Sequence, residues 1–271
     1  MIKKYSKMNI KVFGERNTGT NFLCKLLLEN TNLNCLVHGS NKHLKDLKNQ
    51  LIQQHFTKTF LNKHLHKQLS SLIEEQLIDK QRSLEFDSNF GWKHAKINPD
   101  RIKECPLYEK TIFICLIRNP WRFITALHKK PYNLFPNTKS SLVEFINLSF
   151  LPNKRDGIKD IFLINPVDFW NIKVNSYFHF KDVSSKVFIV YYEQLVKDPK
   201  IVLDLISPYC NVSKELKIPL KSTKGDDKTY EQYKNETIKY NPKEELGNQV
   251  YNLIYEKIDK DLLKKTIYKN C

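Results

Sequence analysis

Asn9-Ile10-Lys11-Val12-Phe13-Gly14-Glu15-Arg16-Asn17-Thr18-Gly19-Thr20-Asn21-Phe22-Leu23 is the stretch that decides the fold. Its apolar run (Ile10, Val12, Phe13) reads as a short buried strand, Gly14 to Thr20 as a turn, and Phe22, Leu23, Leu26 and Leu27 as the inner stripe of a helix. A loop of this kind aims the backbone N–H groups of Thr18 to Asn21 at one point, where the helix start adds partial positive charge. An anion of phosphate type is its natural occupant. Gly19, lacking a side chain, lets the backbone come close to that anion. Read alone, the loop is equally an ordinary strand-to-helix turn capped by Thr18 or Thr20. The spacing Gly14-xxxx-Gly19 imitates the triphosphate loop GxxxxGK[ST], but Thr20 and Asn21 stand where its lysine and magnesium-binding hydroxyl belong.

Outward from the loop, Asn34 to Gly39 reads as a second short strand, and residues 40–84 as amphipathic helix carrying leucines at helical spacing. His43, His55, His64 and His66 in that helical stretch have no carboxylate or cysteine at ligand spacing, so they read as solvated face residues and no metal site is predicted. Phe90 to Ile97 reads as a strand or strand end holding the pair Lys93-His94, broken by Asn98-Pro99. Thr111 to Ile117 is an uninterrupted apolar run of the kind found in a parallel strand covered on both faces. It ends in Arg118-Asn119-Pro120, with Pro120 in the first turn of a helix. A charged residue just past the carboxyl end of such a strand sits where open α/β sheets bind ligands, and Arg118 can hold a phosphate bidentately. Helices follow at 140–151 and 167–178, a third strong strand at Lys186 to Tyr192, a helix from about Lys200, and closing helices over 227–240 and 243–258.

With 271 residues, an apolar fraction of 41% and no internal repeat, a single domain spanning 1–271 is expected. The net charge of +16 comes from lysine scattered throughout, a diffuse field that favours anionic ligands without naming one. No zinc-finger or RNP-type motif accompanies it, so no nucleic-acid partner is expected. The cysteines Cys24, Cys35, Cys105, Cys115, Cys210 and Cys271 form no CxxC pair and imply no disulfide scaffold. No signal peptide and no run of roughly 18 apolar residues is present, which places the protein in the cytoplasm.

Gly14-Glu15-Arg16-Asn17-Thr18-Gly19-Thr20-Asn21 resembles the 5′-phosphosulfate loop of sulfotransferases that use 3′-phosphoadenosine 5′-phosphosulfate (PAPS), in the bacterial-type variant with a Gly-Glu-Arg-Asn-Ser/Thr-Gly-Thr-Asn signature. Three further segments resemble that family in the same order: Lys93-His94, Arg118-Asn119-Pro120, and Tyr192-Glu193-Gln194-Leu195 leading to Asp198-Pro199. The resemblance implies a P-loop-type central parallel sheet flanked by helices, sulfotransferase-like, with a helical insertion around 40–85. It implies sulfuryl transfer from PAPS, without metal, to a hydroxyl or amine of an acceptor such as a carbohydrate, glycolipid or small metabolite, leaving adenosine 3′,5′-bisphosphate. His94 would be the base, for which a neutral imidazole is suited. In the commonest form of the loop a lysine occupies the position of Asn17, and Arg16 is the nearest replacement, with the loop N–H groups and Lys93 as further donors to the departing phosphate. The loop residues Arg16, Asn17, Thr18, Gly19, Thr20 and Asn21 would cradle the 5′ group, Arg118 the 3′-phosphate, and Tyr192 would lie near the adenine. Ala126 stands where the family has a serine for that phosphate, and Thr125 is the nearest hydroxyl. Leu127-His128-Lys129-Lys130-Pro131-Tyr132 continues the likeness, with His128 and Lys130 facing either the acceptor or the helix end. Lys221 to Asp227 is similar to the family's basic glycine loop, with Lys224 and Gly225 as its contacts; the alternative is a solvated lysine loop. Rival classes are a P-loop kinase-like phosphotransferase and a non-catalytic basic nucleotide- or nucleic-acid-binding protein.

Overall fold

A computed structural model of the chain describes residues 8–37, 47, 49–50, 63–131, 140–158, 164–219 and 228–271, the backbone alone for 63–69. Among these, β1 (Asn9–Gly14), β2 (Asn34–Cys35), β3 (Thr111–Ile117) and β4 (Val187–Tyr191) form a parallel sheet in the order β2-β1-β3-β4. Phe13 lies opposite Cys115, and Cys115 opposite Ile189, so the carboxyl ends of the three long strands finish level with one another. Every residue of β3 is buried, as its unbroken apolar run requires.

Alternation along the strands divides the core in two. Phe13, Phe113, Cys115 and Ile117 face one side and pack with α5 (Pro120–Lys129) and α7 (Pro166–Val183), while Ile10, Val12, Ile112, Ile114 and Leu116 face the other. That second face is covered by α1 (Thr20–Asn30), α8 (Tyr192–Lys197) and α9 (Lys200–Ile206). Polar side chains set where the helices begin. Asn165 accepts from the amides of Val167 and Asp168 with Pro166 at the first helical position of α7, and Asn119 accepts from the Arg122 amide at the start of α5. The remaining described helices are α2 (Lys63–Leu84), α3 (Phe86–Asn89), α4 (Pro99–Glu104), α6 (Leu142–Asn147), α10 (Tyr230–Ile238), α11 (Pro242–Lys257) and α12 (Lys260–Lys264). Helix α2 lies inside the helical stretch expected at 40–85. None of the described helices is long and apolar enough to cross a membrane.

Two expectations are corrected. Phe90 to Ile97 is not a strand, although β2 pairs only with Asn9 and Ile10 and the Gly14 amide of β1 donates to the Lys93 carbonyl. Phe90 and Gly91 adopt left-handed backbone angles (φ 60° and 67°), and the segment becomes a series of turns lying over the end of β1. The second strand stops at Cys35, with residues 36 and 37 outside it. The loop of residues 221–227, with Lys224 and Gly225, lies outside the described residues, as do His43, His55 and the side chains of His64 and His66.

Candidate functional site

The loop between β1 and α1 is built on two left-handed residues, Asn17 (φ 64°) and Gly19 (φ 89°). This alternation turns successive amides toward one concavity. Gly19 also sits against the Tyr192 ring, so an added Cβ would fall 2.7 Å from its carbons. No side chain caps α1, and the amides of Thr20 and Asn21 meet no protein acceptor among the described residues. Thr18 is turned inward instead, its hydroxyl donating to the Glu15 carbonyl at 2.5 Å. The open helix start therefore leaves backbone N–H donors facing one point, an arrangement that favours an anion.

His94 and Lys93 reach this loop from the turn that replaces the expected strand. The Gly14 amide donates to the Lys93 carbonyl (3.0 Å), and His94 Nδ1 bonds the Gly14 carbonyl. A carbonyl only accepts, so Nδ1 carries the proton and Nε2 keeps its lone pair. Burial, then the charges of Arg16 and Lys93, pushes the His94 pKa well below its ordinary value, which keeps the ring neutral. The Trp92 ring packs edge-on against it at 4.8 Å. Lys93 Nζ donates to Asn21 Oδ1 at 2.5 Å, above the start of α1, with its own pKa lowered by burial.

Arg16 does not face the loop as a free cation. Its guanidinium bonds Glu15 (2.9 Å) and Asp156 (2.8 Å) in a buried cluster that also holds Lys173, whose Nζ reaches Glu15 (2.9 Å), Asp156 (3.0 Å) and the His94 carbonyl. Burial works against these charges, but Lys173 and Arg16 still hold the Asp156 pKa down to about 2. The cluster fixes the backbone on which the loop and His94 sit. Asn17 is likewise structural in its side chain, which donates to the carbonyls of Ala126 and Lys130 (both 3.3 Å) at the end of α5. His128 Nε2 bonds the Ser140 carbonyl (2.9 Å), and the Thr125 hydroxyl turns back onto the carbonyls of Trp121 and Arg122 (both 3.1 Å).

Arg118 sits where it was expected, at the end of β3. One Nη donates to the Asn17 carbonyl at 2.5 Å, and its guanidinium lies 4.6 Å over the Tyr192 ring. Tyr192 is thus sandwiched between Gly19 and Arg118, a packing role. Beside it the structure adds two residues that the sequence reading missed. Arg122, one turn into α5, and Tyr240, whose ring lies 4.8 Å under the Arg122 guanidinium, join Arg118. Among the described residues neither arginine has a carboxylate partner, and there Arg118 Nε, Arg122 Nη1 and the Tyr240 hydroxyl are buried with no hydrogen-bond partner. The nearby Glu193 is already engaged by the Asn119 amide and the Tyr268 hydroxyl. Burial, and next the charge of Arg118, lowers the Arg122 pKa. Buried donors of this kind cost about 1–3 kcal/mol each when unanswered, so the group is arranged for an anion. The i, i+4 pair Arg118/Arg122 in an otherwise apolar stretch was the available signal; nothing local marks Tyr240.

No family model matches this chain, and no curated protein does. Among solved structures, the sulfotransferase domain from the Synechococcus PCC 7002 olefin synthase is similar at TM-score 0.41 and 11% identity, over 93% of this chain and 94% of that one. The sulfotransferase domain from the curacin biosynthetic pathway is similar at TM-score 0.36 and 14% identity, over 93% and 91%. Likeness at this level is distant, and the chemistry is read from the side chains described above.

Proposed function

We propose that the protein transfers a sulfuryl group from PAPS to a hydroxyl or amine of an acceptor. The observation that carries this is a pair of unanswered cationic features tied together by one hydrogen bond. The open amides of the loop form one, Arg118, Arg122 and Tyr240 form the other, and the bond from Arg118 to the Asn17 carbonyl joins them. A nucleotide bearing anions at both its 5′ and 3′ positions matches such a pair.

PAPS supplies an activated sulfuryl group: a bond from sulfur to the acceptor's oxygen or nitrogen forms as the sulfur–oxygen bond to the 5′-phosphate breaks, leaving adenosine 3′,5′-bisphosphate. His94 Nε2, neutral and lone-pair-bearing, takes the acceptor proton. The amides of Thr20 and Asn21, with Lys93 beside them, meet the negative charge that grows on the departing phosphate. Lys93 takes this role in place of Arg16, which is held by two carboxylates. Arg118 and Arg122 bind the 3′-phosphate, Arg122 standing in for the serine that Ala126 lacks; Thr125 is turned into its own helix. The carboxylates at the loop, Glu15 and Asp156, are both held by Arg16 and Lys173, which disfavours their use as magnesium ligands in a phosphotransferase. Free thiols throughout the described residues accord with the cytoplasm.

Thermal shift tests the nucleotide class. At about 100 times its Kd, adenosine 3′,5′-bisphosphate should stabilise the fold by about 2.7 kcal/mol, some 5–10 °C. Magnesium with ATP should give much less. A larger shift with ATP would move the protein to the phosphotransferases.

A further inference from the structure

Trp92, which packs against His94, also forms one wall of a cavity of about 820 Å³ that lies between α2 and the segment running from Gly91 to Ile102. Its volume suits one small organic molecule. The floor is apolar: Phe13, Phe90, Ile97 and Ile102 line it and are themselves buried. The mouth is cationic. Lys80, Lys96, Arg101 and Lys154 line the cavity, are exposed, and have no carboxylate partner among the described residues. Asp79, the one acid among the lining residues, is held by Arg155 at 2.7 Å. An apolar floor under unpaired cations selects a molecule with an apolar body and an acidic head, since the body is drawn from water and the head would be stranded in a neutral pocket.

We infer that this cavity binds an amphipathic organic anion, at a site separate from His94, which is not among its lining residues.

The probe is 8-anilinonaphthalene-1-sulfonate, an aromatic body with one anionic head, compared with its neutral counterpart N-phenyl-1-naphthylamine. The sulfonate should saturate a single site and take energy from Trp92, a transfer that Trp92→Phe removes. Lys96→Glu combined with Arg101→Glu should weaken it about tenfold or more. Ala95→Trp, which fills the cavity, should abolish binding. Both variants should melt like the parent and keep its affinity for adenosine 3′,5′-bisphosphate. Equal sulfonate affinity in the parent and the charge-reversed protein, or equally tight binding of the neutral amine, would overturn the inference. If the parent fails to bind the bisphosphate, the transfer reading falls alone, while the sulfonate series still decides what the cavity holds.

Discussion

His94 combines two features that a base needs: its donor nitrogen is fixed on the Gly14 carbonyl, and its burial keeps the other nitrogen unprotonated. His94→Ala should therefore lower sulfuryl transfer about 10²–10⁴-fold while leaving bisphosphate affinity unchanged, as measured by release of the nucleotide product. Because the pKa is lowered, the rate should hold its plateau below pH 6.5, the ordinary histidine value, and fall only at more acid pH. Arg122 gives a prediction of opposite signs. Its guanidinium is buried beside Arg118 without a counter-ion, so Arg122→Met should raise the melting temperature of the free protein and weaken bisphosphate binding about tenfold or more. Arg118 was legible from the sequence because it ends the clearest strand in the chain. The pairing of Arg16 was not legible, since its partner Asp156 lies far away in sequence and only the fold brings the two together.

At the scale of elements, the loop and α1 form the unit that the sequence describes best: apolar strand, glycine-bearing turn, amphipathic helix. Gly19 holds a left-handed angle and touches Tyr192, so Gly19→Ala adds about 1–2 kcal/mol of backbone strain to a steric clash. Urea unfolding should show a loss of about 2 kcal/mol or more, with bisphosphate binding lost. The turn bearing His94 was misread as a strand; the left-handed angles of Phe90 and Gly91 break the extended run, and only Lys93 and His94 bond to the end of β1. Its position depends on the buried cluster of Lys173, Glu15, Arg16 and Asp156. Lys173→Met should cost about 3–5 kcal/mol by leaving the two carboxylates with Arg16 alone. In the parent, Asp156 contributes stability that is present above its unfolded pKa of 3.8 and is lost as pH falls through about 2. Lys173→Met should shrink that acid-dependent loss in denaturant titrations.

For the whole molecule, the strands and the two-sided core follow from apolar runs whose residues alternate faces, which is why strands β1, β3 and β4 were readable from the chain, while their order was not. Long-range pairings were not. Lys11 is one: inside β1 it is fully buried, its Nζ bonded to the Gly91 carbonyl at 2.8 Å, and burial lowers its pKa to about 7. Between pH 7 and 10.5 the unfolded chain binds the extra proton, so this group makes the fold more stable as pH rises. The parent should gain relative to Lys11→Met across that range, measured by urea unfolding at each pH; a constant difference would show that Lys11 stays charged. The proposed anion site is equally a product of the whole fold, with Tyr240 brought to Arg122 and the turn of His94 to the end of β1. Calorimetric titration of adenosine 3′,5′-bisphosphate against adenosine 5′-phosphate tests that convergence most directly. The account predicts that the parent favours the bisphosphate about 100-fold or more, and that Arg118→Ala removes most of the preference. Equal affinity for the two nucleotides in the parent would contradict it.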